Sequence, residues 1–286
     1  MIDLVLAGEA FKLPSNWQEV PQKRLPSILE AVFVKPENGE TYHELLRLVL
    51  GLSTATWARF CYYYLGSHLP EETRQENAEK LHTVLESISW MWLDDMTVKP
   101  FVSVLSKRSE LLLFDEGFET MSYGELSDGY IHLQAFARQL VEGDERLDLL
   151  VATVCRPQRT DYDYATREDW DGDHRQPYNP HAVKELAKQV KHLDNATKVA
   201  IMVYFAGTVK QVFGDYEIMD TGIAGAGEEE YPGQALLKNQ HLLAEKGIFG
   251  NINQTRAANV HDVLLFLEEH KKDLAAQLAA QKQQEG

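Results

Sequence analysis

The sequence is poor in cysteine, and it has no long apolar run. Its 286 residues include two cysteines, Cys61 and Cys155, each flanked by apolar neighbours. This setting favours buried, reduced thiols in an intracellular protein, with a disulfide or a catalytic thiol as the alternatives. The longest apolar stretch, VAIMVYFAGTV at 199–209, is too short to cross a bilayer. No signal peptide is expected, because the N-terminal segment lacks a basic start followed by a long apolar run.

Positive charge is also scarce. Lys and Arg number 28 against 44 Asp and Glu, which gives a formal net charge of −16. A field of this sign repels nucleic-acid phosphates and anionic membrane surfaces. The composition therefore argues against nucleic acid and membranes as partners, and the chain is expected in the cytoplasm.

The sequence is rich instead in apolar residues at helical spacing. Its hydrophobic fraction of 44% and charged fraction of 25% are typical of a globular protein. We predict a mainly α fold, a multi-helix bundle of about ten helices with a small N-terminal β-hairpin. The hairpin is formed by IDLVLAG and EAFKL around Gly8. A helix at 197–213 is apolar almost all round, so it is predicted to lie innermost.

A single helical domain is predicted over 1–273. Pro100, Gly117 and β-branched residues interrupt the helical rhythm before the helices resume. The parts expected are helical sub-groups at 1–95 and 123–273, an irregular crossover at 96–122 and a frayed C-terminal tail at 274–286. A loop at 214–233 is rich in glycine and acid but lacks the lysine of a phosphate-binding loop, and its role stays open.

Acids and histidines are densest in REDWDGDHRQPYNPH at 167–181. Asp169, Asp171 and Asp173 have the alternation of the first oxygen ligands in a calcium-binding loop. However, His174 stands where that loop needs glycine, and Pro180 stands where it needs a closing glutamate. We predict a solvated loop without a resident metal, and no cofactor. The three aspartates remain the candidate ligands.

Other patterns give no catalytic motif. His43 and Glu44 begin a helical face on which Arg47 occupies the place of a second metal-binding histidine. There is no serine in a nucleophile-elbow motif. Since catalytic groups can assemble from distant positions, an enzyme of unknown type that uses the acidic and histidine-containing loop 161–181, with His174 or His181, remains the alternative.

Three longer segments resemble a known group of proteins. They are KLPSNWQEVPQKRLPSIL near the start, YGELSDGYIHLQAFARQLVEGDERLDLLVATVCRP in the middle and LLAEKGIFGNINQTRAANVHDVLLFLEEHK near the end. They are similar to helical proteins of bacteriophage and prophage tail modules from Bacteroidetes-like hosts. The resemblance implies a non-enzymatic tail assembly chaperone or tail-associated structural protein, located in the bacterial host cytoplasm or in the virion. It carries no catalytic residues.

The resemblance also implies partners. They would be the tape-measure and tail-tube proteins, whose exposed apolar helices aggregate unless they are covered. A homo-oligomer and a host-side helical adaptor remain open. Aromatic residues are the candidates for an apolar groove, with core packing as the alternative interpretation. These candidates are Trp57, Phe60, Tyr62, Tyr63, Tyr64, Trp90 and Trp92.

Overall fold

The computed structural model describes residues 1–161, 163–168, 170–216 and 229–285, without the side chains of 278 and 282–285. Candidate ligand Asp169 and most of the glycine- and acid-rich loop 214–233 lie outside the described residues. The chain is mainly α with an N-terminal β-hairpin, as predicted. The described helices are α1 (Leu25–Phe33), α2 (Gly39–Leu50), α3 (Thr54–Leu65), α4 (Glu71–Ser87), α5 (Tyr123–Ala137), α6 (Glu145–Val154), α7 (Pro180–Val190), α8 (Asn195–Asp215), α9 (Gln234–Glu245), α10 (Ile252–Ala257) and α11 (Val260–Glu285). The strands are β1 (Ile2–Leu6), β2 (Glu9–Leu13), β3 (Ser103–Leu105), β4 (Glu110–Leu113) and β5 (Cys155–Pro157).

The chain divides into two compact units. Unit 1 consists of 1–100 and 194–204, and unit 2 consists of 101–193 and 205–286. The first boundary falls inside the predicted crossover 96–122. That crossover is not irregular throughout, since it contains β3 and β4.

Unit 1 begins with the hairpin. Strands β1 and β2 pair antiparallel from Ile2 opposite Leu13 to Leu6 opposite Glu9. The two residues of the turn, Ala7 and Gly8, have φ of 51° and 82°, the left-handed conformation that a tight two-residue hairpin turn requires. Because Leu6 and Leu13 are buried while their neighbours along each strand are exposed, one face of the hairpin covers the core of this unit.

Helices α1 to α4 complete the N-terminal part of unit 1. Asn38 caps α2 by accepting from the Thr41 amide, and Ser53 caps α3 by accepting from the Thr56 amide. Between these helices Gly51 has φ of 73°, which closes the end of α2 in a left-handed turn. The caps thus explain why two helices follow one another with a short connection.

Unit 2 contains a small sheet that the sequence did not predict. Strands β3, β4 and β5 form an antiparallel sheet in that order. Cys155 opens β5 directly after α6. Each of these strands has only three or four residues, too few to show an alternating pattern.

Helices α5, α6 and α7 pack in sequence order in unit 2, and α10 packs against both α5 and α9. A close approach fixes α5. An added Cβ at Gly129 would lie 2.8 Å from the Cζ atom of Phe205 in α8. Phe205 also packs on Phe114 and Phe118, with ring centroids 5.9 and 5.5 Å away. The packing of the aromatic core of unit 2 therefore requires a residue without a Cβ atom at position 129.

Helix α8 is buried along most of its length, as its apolar sequence indicated. No helix in the described ranges is both long and apolar enough to traverse a membrane. Helix α11 runs to Glu285.

Candidate functional site

A buried ion network in unit 2 connects α5, β5 and the loop after β5. Glu125 on α5 accepts from Arg156 Nη2 and from Arg175 Nη1, both at 2.9 Å. Asp173 accepts from the same two arginines, at 2.8 Å from Arg156 Nη2 and 2.9 Å from Arg175 Nη2. Two carboxylates and two guanidinium groups thus neutralise one another away from solvent.

The prediction of a solvated loop at 167–181 is wrong for two of its residues. Asp173 is 4% exposed and Arg175 is 2% exposed. The loop is held on β5 by backbone hydrogen bonds, from the Arg159 amide to the His174 carbonyl and from the Gln176 amide to the Pro157 carbonyl. This pairing extends the sheet by one ladder and draws Asp173 and Arg175 inward.

Burial and charge act in opposite directions on these groups. Burial raises the pKa of Glu125, and the charges of Arg156 and Arg175 oppose that rise. Burial acts to raise the pKa of Asp173 as well, but the charge and hydrogen bonds of Arg175, with the charge of Arg156, hold that pKa below its ordinary value. The two carboxylates raise the pKa of Arg175 against the effect of its burial. Asp173 and Arg175 therefore keep each other charged.

A cavity of about 340 Å³ lies beside the network. Arg159 on its wall donates from Nη2 to the two oxygens of Asp171, at 3.2 and 3.4 Å. Nearby, the Tyr178 hydroxyl donates to Asp128 at 2.6 Å, and Arg256 donates to the same oxygen. Residues that line the cavity include Glu125, Arg156, Arg159, Asp171, Tyr178 and Arg256.

The candidate metal ligands have other partners in this arrangement. Asp173 belongs to the ion network, Asp171 accepts from Arg159, and Asp169 lies outside the described residues. Among the residues that the structure describes, no group of three His, Cys, Asp or Glu side chains is placed to hold a metal ion. His181 lines the cavity, whereas His174 forms a 2.9 Å hydrogen bond with the Tyr164 hydroxyl.

Unit 1 holds the aromatic candidates, and the structure separates them by burial. Trp57 and Tyr64 are buried, and Phe60 is stacked between them at centroid distances of 5.3 and 4.8 Å. Trp57 and Tyr64 are therefore core residues. Tyr62 and Tyr63, on the same helix α3, are 60% and 67% exposed.

The two tryptophans after α4 lie against other aromatic residues. Trp90 is half-buried and meets Trp17 edge-on, with centroids 5.0 Å apart. Trp92 is partly exposed and lies edge-on to Tyr42 at 6.4 Å. Neither belongs to the Trp57 stack.

An open groove of about 280 Å³ adjoins the exposed face of α3. It lies between this helix and the turn of the hairpin. Its lining includes Ala7, Glu9, Leu52, Phe60, Tyr63 and Tyr64. We call Tyr62, Tyr63 and this groove the α3 surface.

Comparison with known proteins gives the chain no relative: no protein-family model, curated protein or solved structure matches it. The site must therefore be interpreted from its own geometry.

Proposed function

We propose that this protein is a non-enzymatic assembly factor or structural component of a phage tail, which binds another tail protein through the α3 surface. The observation that carries the proposal is the exposed tyrosine pair of α3. The rings of Tyr62 and Tyr63 lie edge to face at 5.2 Å, and both are well over half exposed. The tail module as the setting comes from the three sequence segments described above.

Exposed tyrosines suit a binding surface. A tyrosine buries a large apolar ring at low entropic cost and keeps a hydroxyl for hydrogen bonding, so it is enriched among the residues that dominate binding energy. The groove beside Tyr63 has the size of one or two side chains rather than of a whole helix. We therefore propose that an apolar helix of the tape-measure protein lies across α3 and inserts a side chain into the groove.

Charge has a supporting role in this proposal. The net charge of −16 keeps a complex with an apolar helix soluble. Arg59 and Glu9 also line the groove, which places one charge of each sign there. Binding should then be mainly hydrophobic and should persist above the physiological ionic strength of about 0.15 M.

Co-expression with the neighbouring tape-measure and tail-tube proteins tests the proposal. The full chain should raise the soluble fraction of the tape-measure protein and co-purify with it. Tyr63→Asp should weaken that binding by about 2 kcal/mol or more, because it places a charge in a desolvated contact. Since Tyr63 is exposed, the free energy of unfolding of the variant should stay within about 0.5 kcal/mol of that of the parent.

Tyr231→Asp is the matched control, because Tyr231 is an exposed tyrosine of unit 2. This variant should bind as the parent does. If neither tail protein gains solubility or co-purifies, the tail-assembly proposal is wrong. Equal loss of binding in both variants would instead place the contact outside the α3 surface. A host protein captured in a Tyr63-dependent way would favour the adaptor alternative.

An enzyme at loop 161–181 is the second candidate, favoured by the cavity that gathers Asp171, Asp173 and His181. This candidate is weaker because its acidic side chains already form hydrogen bonds with arginines. Asp173 accepts hydrogen bonds from two arginines, and Asp171 accepts from Arg159. A general base needs a lone pair directed at its substrate, and these carboxylates direct theirs at guanidinium groups.

A further inference from the structure

The polar side chains around the unit 2 cavity differ in their hydrogen bonding. The two buried carboxylates on its wall already accept from arginine. By contrast, the side chains of Thr120, Asn253 and His181 have no hydrogen-bond partner among the described residues of the chain. Asn253 and His181 are exposed, and the hydroxyl, amide and imidazole groups of these three side chains can each donate a hydrogen bond to an oxygen of a ligand as well as accept one.

Arg156 adds a buried donor to the same wall. Its side chain is 7% exposed, and its three nitrogens are not equally used. Nη1 donates to the Gln176 carbonyl and Nη2 donates to the two carboxylates, but Nε has no partner in the described part of the chain. Because that Nε has almost no solvent-accessible surface, a ligand in the cavity reaches it only after Arg156 moves.

The contact between Arg159 and Asp171 is the one that a ligand can replace. Its side chain is 15% exposed, while that of its partner Asp171 is 53% exposed. The distances of 3.2 and 3.4 Å are long for a charge-assisted pair. An incoming oxyanion can therefore compete with Asp171 for the Arg159 guanidinium, although turning Asp171 outward also breaks the 3.0 Å hydrogen bond that it accepts from the Asp173 amide.

The charge balance selects the kind of oxyanion. Three arginines and three carboxylates line the cavity, so its wall is formally neutral. Once Asp171 turns outward, one positive charge is left over, which matches a singly charged ligand better than a doubly charged phosphate. We propose that this cavity binds a carboxylate, held by the Arg159 guanidinium and the polar side chains of the wall.

The site does not depend on the proposed function, because its residues belong to unit 2 and the α3 surface belongs to unit 1. Its volume is at the small end of ligand pockets, so it admits one small acidic group. That group belongs either to a free organic acid or to an acidic side chain of a peptide. The chemistry at Arg159 is the same for both.

Calorimetric titration of the full chain tests the proposal with three probes: propionate, a hexaglutamate peptide and inorganic phosphate. Propionate or the peptide should bind, and the tighter of the two identifies the source of the carboxylate. Arg159→Gln should weaken binding about tenfold or more. Asp171→Asn should tighten binding several-fold, because it removes the internal competitor while keeping the oxygen that accepts from the Asp173 amide.

Arg108→Gln is the matched control, since Arg108 is an exposed arginine next to β3 and outside the cavity lining. It should bind as the parent does. The opposite signs expected for Arg159→Gln and Asp171→Asn separate binding from loss of folding. The proposal is overturned if neither carboxylate probe binds, if phosphate binds more tightly than both, or if the Arg159 and Arg108 variants lose affinity equally.

Discussion

Arg175 donates to both buried carboxylates of the ion network and to the Val154 carbonyl at 2.9 Å. It therefore joins α5, the end of α6 and the loop that follows β5. Asp173, Asp171 and Asp169 were recognisable in the sequence as an acidic cluster. The rest of the ion network was not recognisable, because Glu125 lies 50 residues and Arg156 lies 19 residues before Arg175 in the sequence. Glu125 does not stand out in the sequence either, because Ser127 and Asp128 follow it in the same helix.

Arg175→Met is expected to destabilise unit 2 by about 3–5 kcal/mol, because Glu125 and Asp173 lose their shared cation and stay buried. Urea unfolding of the full chain measures the change. Arg138→Met, at an exposed position after α5, is the control and should cost less than about 0.5 kcal/mol. A small effect of Arg175→Met would mean that the carboxylates take up protons or water without cost.

His132 gives unit 2 a dependence on pH. Burial, with the charge of Arg146, lowers its pKa from 6.5 to about 4. Below pH 6.5 His132 takes up a proton in the unfolded chain but stays neutral in the folded chain. The free energy of unfolding therefore falls with pH until about pH 4. This contribution amounts to at most about 3 kcal/mol.

His132→Gln should remove that part of the decline between pH 6.5 and 4, as followed by urea unfolding at several pH values. His192→Gln, at an exposed position, should keep the slope of the parent. Identical slopes in all three proteins would contradict the assignment.

At the scale of elements, helices and sheet were not equally predictable. Apolar residues at helical spacing are a local signal, so the helices and the N-terminal hairpin followed from the sequence. Strand β5 pairs with β4 across more than forty residues, and neither has a recognisable alternation. The sheet forms because tertiary packing brings these short strands together.

The contact between α5 and α8 offers a test at this scale. Gly129→Ala should destabilise the protein by about 1–3 kcal/mol, because the added methyl overlaps the ring of Phe205. Gly214→Ala, in the same α8, meets open space and should be neutral or stabilising by up to about 1 kcal/mol. Thermal unfolding monitored by circular dichroism compares the two. Similar effects of both changes would contradict the close packing.

At the scale of the whole molecule, the excess of acid should make stability depend on salt. Repulsion among the surface carboxylates weakens when the ionic strength rises from about 0.01 M to about 0.15 M. We expect the urea midpoint at pH 7 to increase over this range. Near the isoelectric pH of about 5.0 the same addition should have little effect. A midpoint that falls with salt at pH 7 would show that attractive ion pairs dominate instead.

The division of the chain into units has a consequence for its synthesis. Unit 1 is completed by 194–204, a segment that contributes the buried Val199, Ala200 and Ile201. A ribosome makes this segment only after the whole of 101–193, which at about 5–20 residues per second takes about 5–20 seconds. During that interval the first hundred residues lack part of their core. The amino-terminal unit therefore cannot finish folding first, and a nascent chain interrupted before residue 204 leaves its apolar surface open to chaperones and proteases.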